Sequence, residues 1–280
     1  MTSGDGSRTN RLRVALLQVA YGDDESLSDR VQRVSQWIRE VGPADLVVLP
    51  ELWAHGGFAS TTWRATAELM NGPTIAQMAS VAREVGVWLH AGSIIERAED
   101  GADRGAERRG LWNTSVLISP QGTVHKTYRK IHRFGFGDGE PRVLEAGTDL
   151  AVAELVHDTG ASRVGMATCY DLRFPELFRR LGDLGADVIV LPAAWPMRRV
   201  EHWRLLGRAR ALENQAWVLQ CNTAGTHSGL DMGGHSQVVA PTGEVVAELG
   251  SDEDVLLTDI DLNLVASVRA DFPVLADRRI

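Results

Sequence analysis

Residues 164–177 read VGMATCYDLRFPEL. An apolar run ends in a cysteine, and Phe174-Pro175-Glu176 then opens a helix with proline in its first turn, where a missing N–H has no intrahelical partner to lose. A buried strand turning directly into a helix is the unit from which α/β folds are assembled. Cys169 therefore stands at or just past the C-terminal end of a strand, the edge where such folds place ligands. A strand-to-helix elbow also offers backbone N–H groups to a developing negative charge. Free cysteine is equally a common buried hydrophobe, so position alone leaves nucleophile and core residue both open.

Working outward, further short apolar runs bounded by turn residues read as buried strands: RVALLQV near 13, LVVLP near 46, VWLHAGSI near 87, WNTSVLI near 112, VIVLP near 188 and WVLQCN near 217. Helical patterns lie between them: SLSDRVQRVSQWIREVG, PTIAQMASVAREVG, FPELFRRLGDLG and RRVEHWRLLGRARALENQ. Glycines after Val41, Val85 and Leu184 mark helix ends, where a left-handed residue is favoured. SVLISPQGTVHKTY and HSQVVAPTGEVVAELG add antiparallel hairpins about Pro-x-Gly turns, so the sheet structure is expected to be mixed. ADLVVLPEL (44–52) and ADVIVLPAA (186–194) suggest a weak internal two-fold, or simply two strands of equal burial. Residues 98–110, AEDGADRGAERRG, read as a surface loop, residues 1–10 as a flexible tail, and residues 11–280 as one domain.

Composition narrows the function. The chain has 280 residues, 44% hydrophobic and 24% charged, enough for a full core. A formal net charge of -8, with no sustained basic stripe, opposes nucleic-acid binding. Two cysteines, Cys169 and Cys221, are too few for a disulfide framework and fit a reducing, cytoplasmic setting. No long apolar segment indicates secretion or a membrane span. Cys221, inside WVLQCNTAG, reads as core.

Two other residues give Cys169 a context. Glu51 in LVVLPELW lies directly beyond an apolar strand, and Lys130 in TVHKTYRKIHRF lies near a strand end. Singly, each has an ordinary reading: a capping or solvated carboxylate, and a surface lysine among basic neighbours. Together, in this order and 79 and 39 residues apart, Glu51, Lys130 and Cys169 form a constellation that resembles the nitrilase superfamily of carbon–nitrogen hydrolases. The resemblance runs from VALLQV through LWNTSVLI and HWRLLGRARALENQAWVLQCN to GHSQVVAPTGEVVAE, about residues 12–262.

The resemblance implies an α-β-β-α sandwich with two mixed sheets, assembly into a homodimer or higher homo-oligomer, and chemistry without cofactor or metal. It also implies that Cys169 attacks an amide, Glu51 moves the protons, and Lys130 with the backbone N–H of Tyr170 stabilises the oxyanion. Glu140, in EPRVLEAG, resembles a second family glutamate that holds the lysine or the substrate amide; an exposed loop carboxylate is its other reading. CYDLRFPE resembles the omega-amidase and Nit-protein branch, which favours amides of short dicarboxylates such as 2-oxoglutaramate. N-carbamoyl compounds or deaminated glutathione are the alternative substrates, and an acyl-transferring or non-catalytic subunit is the alternative class. A second substrate carboxylate calls for a guanidinium. Arg173 is the candidate, with a buried ion pair to Glu176 or Asp171 as its other reading. Arg198 or Arg199 shapes specificity, and Trp195 and Phe136 wall the pocket unless they merely pack loops.

Rival chemistries find less support. Eight histidines make no His-x-x-x-His pattern, and no Cys-x-x-Cys accompanies them. Gly135-Phe136-Gly137-Asp138-Gly139 lacks the Lys-Ser/Thr that a phosphate loop needs.

Overall fold

The computed structural model describes residues 10–279. The expected tail lies outside them apart from Asn10, whose carbonyl accepts the Leu262 N–H at 2.9 Å. Chain order alternates helix and strand, then turns to hairpins. β1 (Arg11–Gln18), α1 (Leu27–Glu40), β2 (Leu46–Val48), α2 (Trp63–Thr66), α3 (Pro73–Val85), β3 (Trp88–Arg97), β4 (Leu111–Ile118) and β5 (Val124–Arg129) build the first half. After the short α4 (Glu140–Val143) come β6 (Ala151–His157), β7 (Gly160–Met166), α5 (Pro175–Asp183), β8 (Val188–Ala193), α6 (Val200–Asn214) and β9 (Trp217–Asn222). A small hairpin, β10 (Thr226–His227) and β11 (Leu230–Asp231), precedes β12 (Gln237–Val239), β13 (Val245–Glu248), β14 (Asp254–Asp261) and α7 (Asn263–Asp271).

Two six-stranded sheets result, in the orders β14-β1-β2-β3-β4-β5 and β13-β12-β9-β8-β7-β6. Each has three parallel strands at its centre, β1-β2-β3 and β7-β8-β9, and antiparallel strands outside them. Both sheets are mixed, as the hairpin turns require. The internal repeat extends beyond composition: Asp45 N donates to Arg13 O (2.8 Å) and Trp88 N to Asp45 O (3.0 Å), while Asp187 N donates to Arg163 O and Trp217 N to Asp187 O (both 2.9 Å).

Strand alternation sorts the layers. Leu12, Val14 and Leu16 of β1, with Leu46 and Val48 of β2, pack towards the second sheet, whereas Ala15, Leu17 and Val47 pack under α1 and α3. Leu177, Phe178 and Leu181 of α5 and Trp203 of α6 cover the far side of the second sheet. The layers therefore run α-β-β-α. Helix ends follow the sequence signals. Ser26 caps α1 by accepting from Asp29 N at 3.2 Å, Pro73 and Pro175 open α3 and α5, and Gly86 closes α3 in the left-handed conformation. Residues 98–110 contain neither helix nor strand, and Cys221 is fully buried with its Sγ 3.3 Å from the carbonyls of Leu17 and Val48. No helix of the described residues is long and apolar enough to cross a membrane.

Candidate active site

The central parallel strands of both sheets point their C-terminal ends at one cavity of about 390 Å³. Glu51 lies beyond β2, Lys130 beyond β5, Cys169 beyond β7 and Trp195 beyond β8, and all four line it. The Glu51 turn is held from β3. Gly92 has φ +66°, and a Cβ there would sit 1.9 Å from the Pro50 carbonyl oxygen, so only glycine admits this approach. Ser93 Oγ accepts Leu52 N at 3.0 Å, on a residue that itself takes a left-handed φ of 46°. Cys169 adopts the same unfavourable φ of 46°, as a strained elbow requires.

The three residues singled out by the sequence meet. Lys130 Nζ donates to Glu51 Oε1 at 2.7 Å and stands 2.9 Å from Glu140 Oε2, with all three side chains at most 5% exposed. Glu140 opens α4 and is buried, which decides against the solvated-loop reading. The second oxygen of Glu51 accepts Ala194 N at 3.0 Å, so strands of both sheets grip one carboxylate. Burial works against the charge on Lys130, but Glu140 and Glu51 outweigh it and hold the ammonium well above its ordinary range. Burial, then the negative charge of Glu51, pushes the Cys169 thiol well above its ordinary range against the opposing pull of Lys130. Burial also raises Glu140.

Tyr170 occupies the second position of a tight turn over Cys169–Arg173, where a helical N–H has no acceptor within the turn. Tyr170 and Trp195 both line the cavity, and Trp195 is anchored by its indole N–H to Arg199 O at 2.7 Å. Phe136 also borders the cavity but is 84% exposed, edge-on to Phe134, so it stands at the mouth. In the same loop, a Cβ on Gly135 would lie 1.8 Å from Asp138 O, which explains the glycine without invoking phosphate.

Arg173 makes neither of its expected ion pairs. Its guanidinium covers the Trp195 ring at 4.8 Å and donates to His202 Nδ1 at 3.2 Å. Arg199 lies over the Phe134 ring at 5.3 Å, and burial, then Arg198 and Arg173, lowers its pKa. Arg198 lines the same wall. No carboxylate pairs with any of these three arginines among the described residues.

Sequence reasoning passed over Asn113. It projects from β4, and its Nδ2 donates to Glu51 Oε1 (2.8 Å) and Glu140 Oε1 (2.7 Å), spacing the two carboxylates. Asp171 was considered only as a partner for Arg173. It is instead fully buried and bonded to Tyr128, His132 and Thr168.

A buried thiol, carboxylate and ammonium at the shared edge of an α-β-β-α sandwich make a hydrolase of acyl–nitrogen bonds the class to test. The carbon–nitrogen hydrolase family model matches residues 13–270, and the chain belongs to that family. A 2-oxoglutaramate amidase of Paenarthrobacter nicotinovorans is 44% identical, over 96% of this chain and 90% of that protein. The human omega-amidase NIT2 is 33% identical, over 95% of each. Among solved structures, Saccharomyces cerevisiae Nit3, a member of branch 10 of the nitrilase superfamily, superposes with a TM-score of 0.83 at 28% identity, covering 96% of this chain and 97% of that one.

Proposed function

We propose that the protein is an omega-amidase, hydrolysing the terminal amide of a short dicarboxylate such as 2-oxoglutaramate to the acid and ammonia. Glu51 takes the Cys169 thiol proton as sulfur attacks the amide carbon, and Lys130 with the Tyr170 N–H stabilises the oxyanion. Glu51 passes that proton to the departing nitrogen, and ammonia leaves a thioester on Cys169. Glu51 next takes a proton from water, whose oxygen attacks the thioester; collapse frees the acid and returns the proton to sulfur. Glu140 positions Lys130 and, through Asn113, Glu51.

The wall of Arg173, Arg198 and Arg199, three guanidiniums that pair with no carboxylate among the described residues, carries this choice of substrate. Like charges gathered at one cavity favour an anionic ligand, and planar guanidinium matches carboxylate in a fork. The named relatives support the same reading. With it go a single domain over residues 11–280, a cytoplasmic setting supported by two unpaired buried cysteines, and homo-oligomeric assembly, which native mass measurement checks.

Ammonia release tests the proposal over 2-oxoglutaramate, butyramide, N-carbamoyl-β-alanine and a short nitrile, with Cys169→Ala as the blank. One charge-assisted hydrogen bond is worth about 1.5–3 kcal/mol, so kcat/KM for 2-oxoglutaramate is expected to exceed that for butyramide by at least about tenfold. Equal turnover of butyramide, or turnover of the nitrile without any amide, overturns the assignment.

A further inference from the structure

The elbow bearing Cys169 extends from the second sheet, and the segment bearing Lys130 from the first. Hydrogen-bond ladders run within a sheet and fix nothing between two facing sheets. Where the backbone does join the sheets it does so elsewhere, Ala224 N donating to Val19 O at 2.9 Å, so the distance from sulfur to ammonium depends on side chains between these two segments. We infer that Asp171 is a positioning residue that sets Lys130 against Cys169, one buried carboxylate binding both segments at once. The inference rests on the roles given to Cys169 and Lys130 above.

Every acceptor direction of that carboxylate is in use. Oδ2 accepts Thr168 N (2.9 Å), directly before the cysteine, and Tyr128 OH (2.7 Å), two residues before the lysine. Oδ1 accepts the backbone N–H of His132 (3.0 Å) and lies 2.7 Å from its Nδ1, two residues after the lysine. A carboxylate offers about four lone-pair sites, and four donors fill them. Burial, then the Asp171 charge, holds the Tyr128 phenol far above its ordinary range, so it remains a donor. The His132 ring lies flat on Phe174, with centroids 3.7 Å apart and planes 5° from parallel, where the elbow passes into α5. Thr168 Oγ1 meets Ser115 Oγ of β4 at 2.8 Å, a second strap between the sheets. Asp171 does not itself line the cavity, although its neighbour Tyr170 does; its influence passes through the two segments it joins.

The test uses Asp171→Asn, Tyr128→Phe and the pair His132→Ala and His132→Asn, in which the asparagine amide restores a donor near Nδ1. Melting temperature, kcat and KM for 2-oxoglutaramate are measured together with inhibition by glutaric semialdehyde. Its aldehyde carbon takes the Cys169 sulfur and its oxygen takes the thiol proton, giving a hemithioacetal whose oxygen occupies the oxyanion site. A misplacement near 1 Å costs on the order of a hundredfold in rate. The expected result is kcat down about a hundredfold in Asp171→Asn and about tenfold in Tyr128→Phe and His132→Ala. The aldehyde Ki should rise in parallel, KM should stay within about twofold because Arg173 and Arg199 keep their own contacts to Trp195, His202 and Phe134, and His132→Asn should recover most of the loss. Lower melting temperatures with unchanged kcat and Ki make the network structural only and overturn the inference, as does a rise in KM alone. If Asp171→Asn fails to fold, the Tyr128 and His132 variants decide. A wild-type enzyme that neither releases ammonia nor binds the aldehyde overturns the functional reading and this inference with it; one that does both while the variants match it overturns the inference alone.

Discussion

Replacing Asn113 with alanine tests whether the site depends on the amide between its two carboxylates. Asn113 is 3% exposed, and its Nδ2 reaches Glu51 at 2.8 Å and Glu140 at 2.7 Å. Hydrogen bonds to charged groups contribute about 1.5–3 kcal/mol each, so losing both removes about 3–6 kcal/mol. Part is returned, because Asn113 Oδ1 is buried without a partner and its deletion relieves about 1–3 kcal/mol. The net loss is about 2–3 kcal/mol, which for a chain of this size lowers Tm by roughly 4–12 °C. Activity falls further than stability implies, because among the described residues Glu51 keeps just Lys130 and Ala194 N to orient it and must exchange protons with sulfur, nitrogen and water in turn. A kcat lower by about ten- to a hundredfold is expected. Thermal melts and a coupled ammonia assay give both numbers. A Tm within about 2 °C of wild type and kcat within twofold refute the idea that the amide spaces the carboxylates.

Two further outcomes follow from the buried charges. Lys130→Ala removes the ammonium paired with Glu51 and Glu140 and is expected to lower kcat by on the order of a hundredfold or more, measured by ammonia release; a fully active variant ends the oxyanion role. His90 is fully buried, neither ring nitrogen has a partner among the described residues, and burial lowers its pKa to about 3. A lowered folded-state pKa contributes stability that is present above the unfolded value near 6.5 and lost as pH falls towards 3, at about 1.4 kcal/mol per pH unit. His90→Leu should flatten that acid limb in denaturant titrations between pH 6.5 and 4 and raise Tm at pH 5; an unchanged slope refutes it.

Glu51 and Cys169 were legible as candidates because each follows a buried apolar strand, whereas Lys130 follows the largely exposed VHKTYR and stood out only through its spacing from the other two. Central strands such as LVVLP and VIVLP are buried on both faces and read as unbroken apolar runs. Of the four edge strands, β5 and β13 were visible in their hairpins, and the other two did not stand out. β6 and β14, AVAELVH and DVLLTDID, alternate buried with exposed positions and carry acidic residues, as strands with one solvated face do. Asn113 escaped for another reason: LWNTSVLI is buried throughout, and only the approach of β4 to Glu51 and Glu140 distinguishes its amide from any satisfied core polar group. Arg173 and Asp171, two residues apart, looked like partners. The carboxylate is taken by donors some 40 residues upstream, at Tyr128 and His132, which local spacing could not reveal.

That same arrangement bears on how sulfur is activated. A preformed thiolate would set a third anion around one ammonium already shared by Glu51 and Glu140. Coulomb energy between unit charges a few ångströms apart in a poorly solvated pocket is several kcal/mol, so that third anion is strongly opposed. Burial and Glu51 together keep the thiol protonated at rest. On the proposed reading the proton therefore leaves only as the carbon–sulfur bond forms, when the negative charge moves onto the substrate oxygen. Lys130 then faces an anion outside the Glu51–Glu140 pair, and the carboxylate that received the proton no longer competes for the ammonium. Charge balance thus favours the tetrahedral state over the resting one, which is the differential stabilisation that catalysis requires.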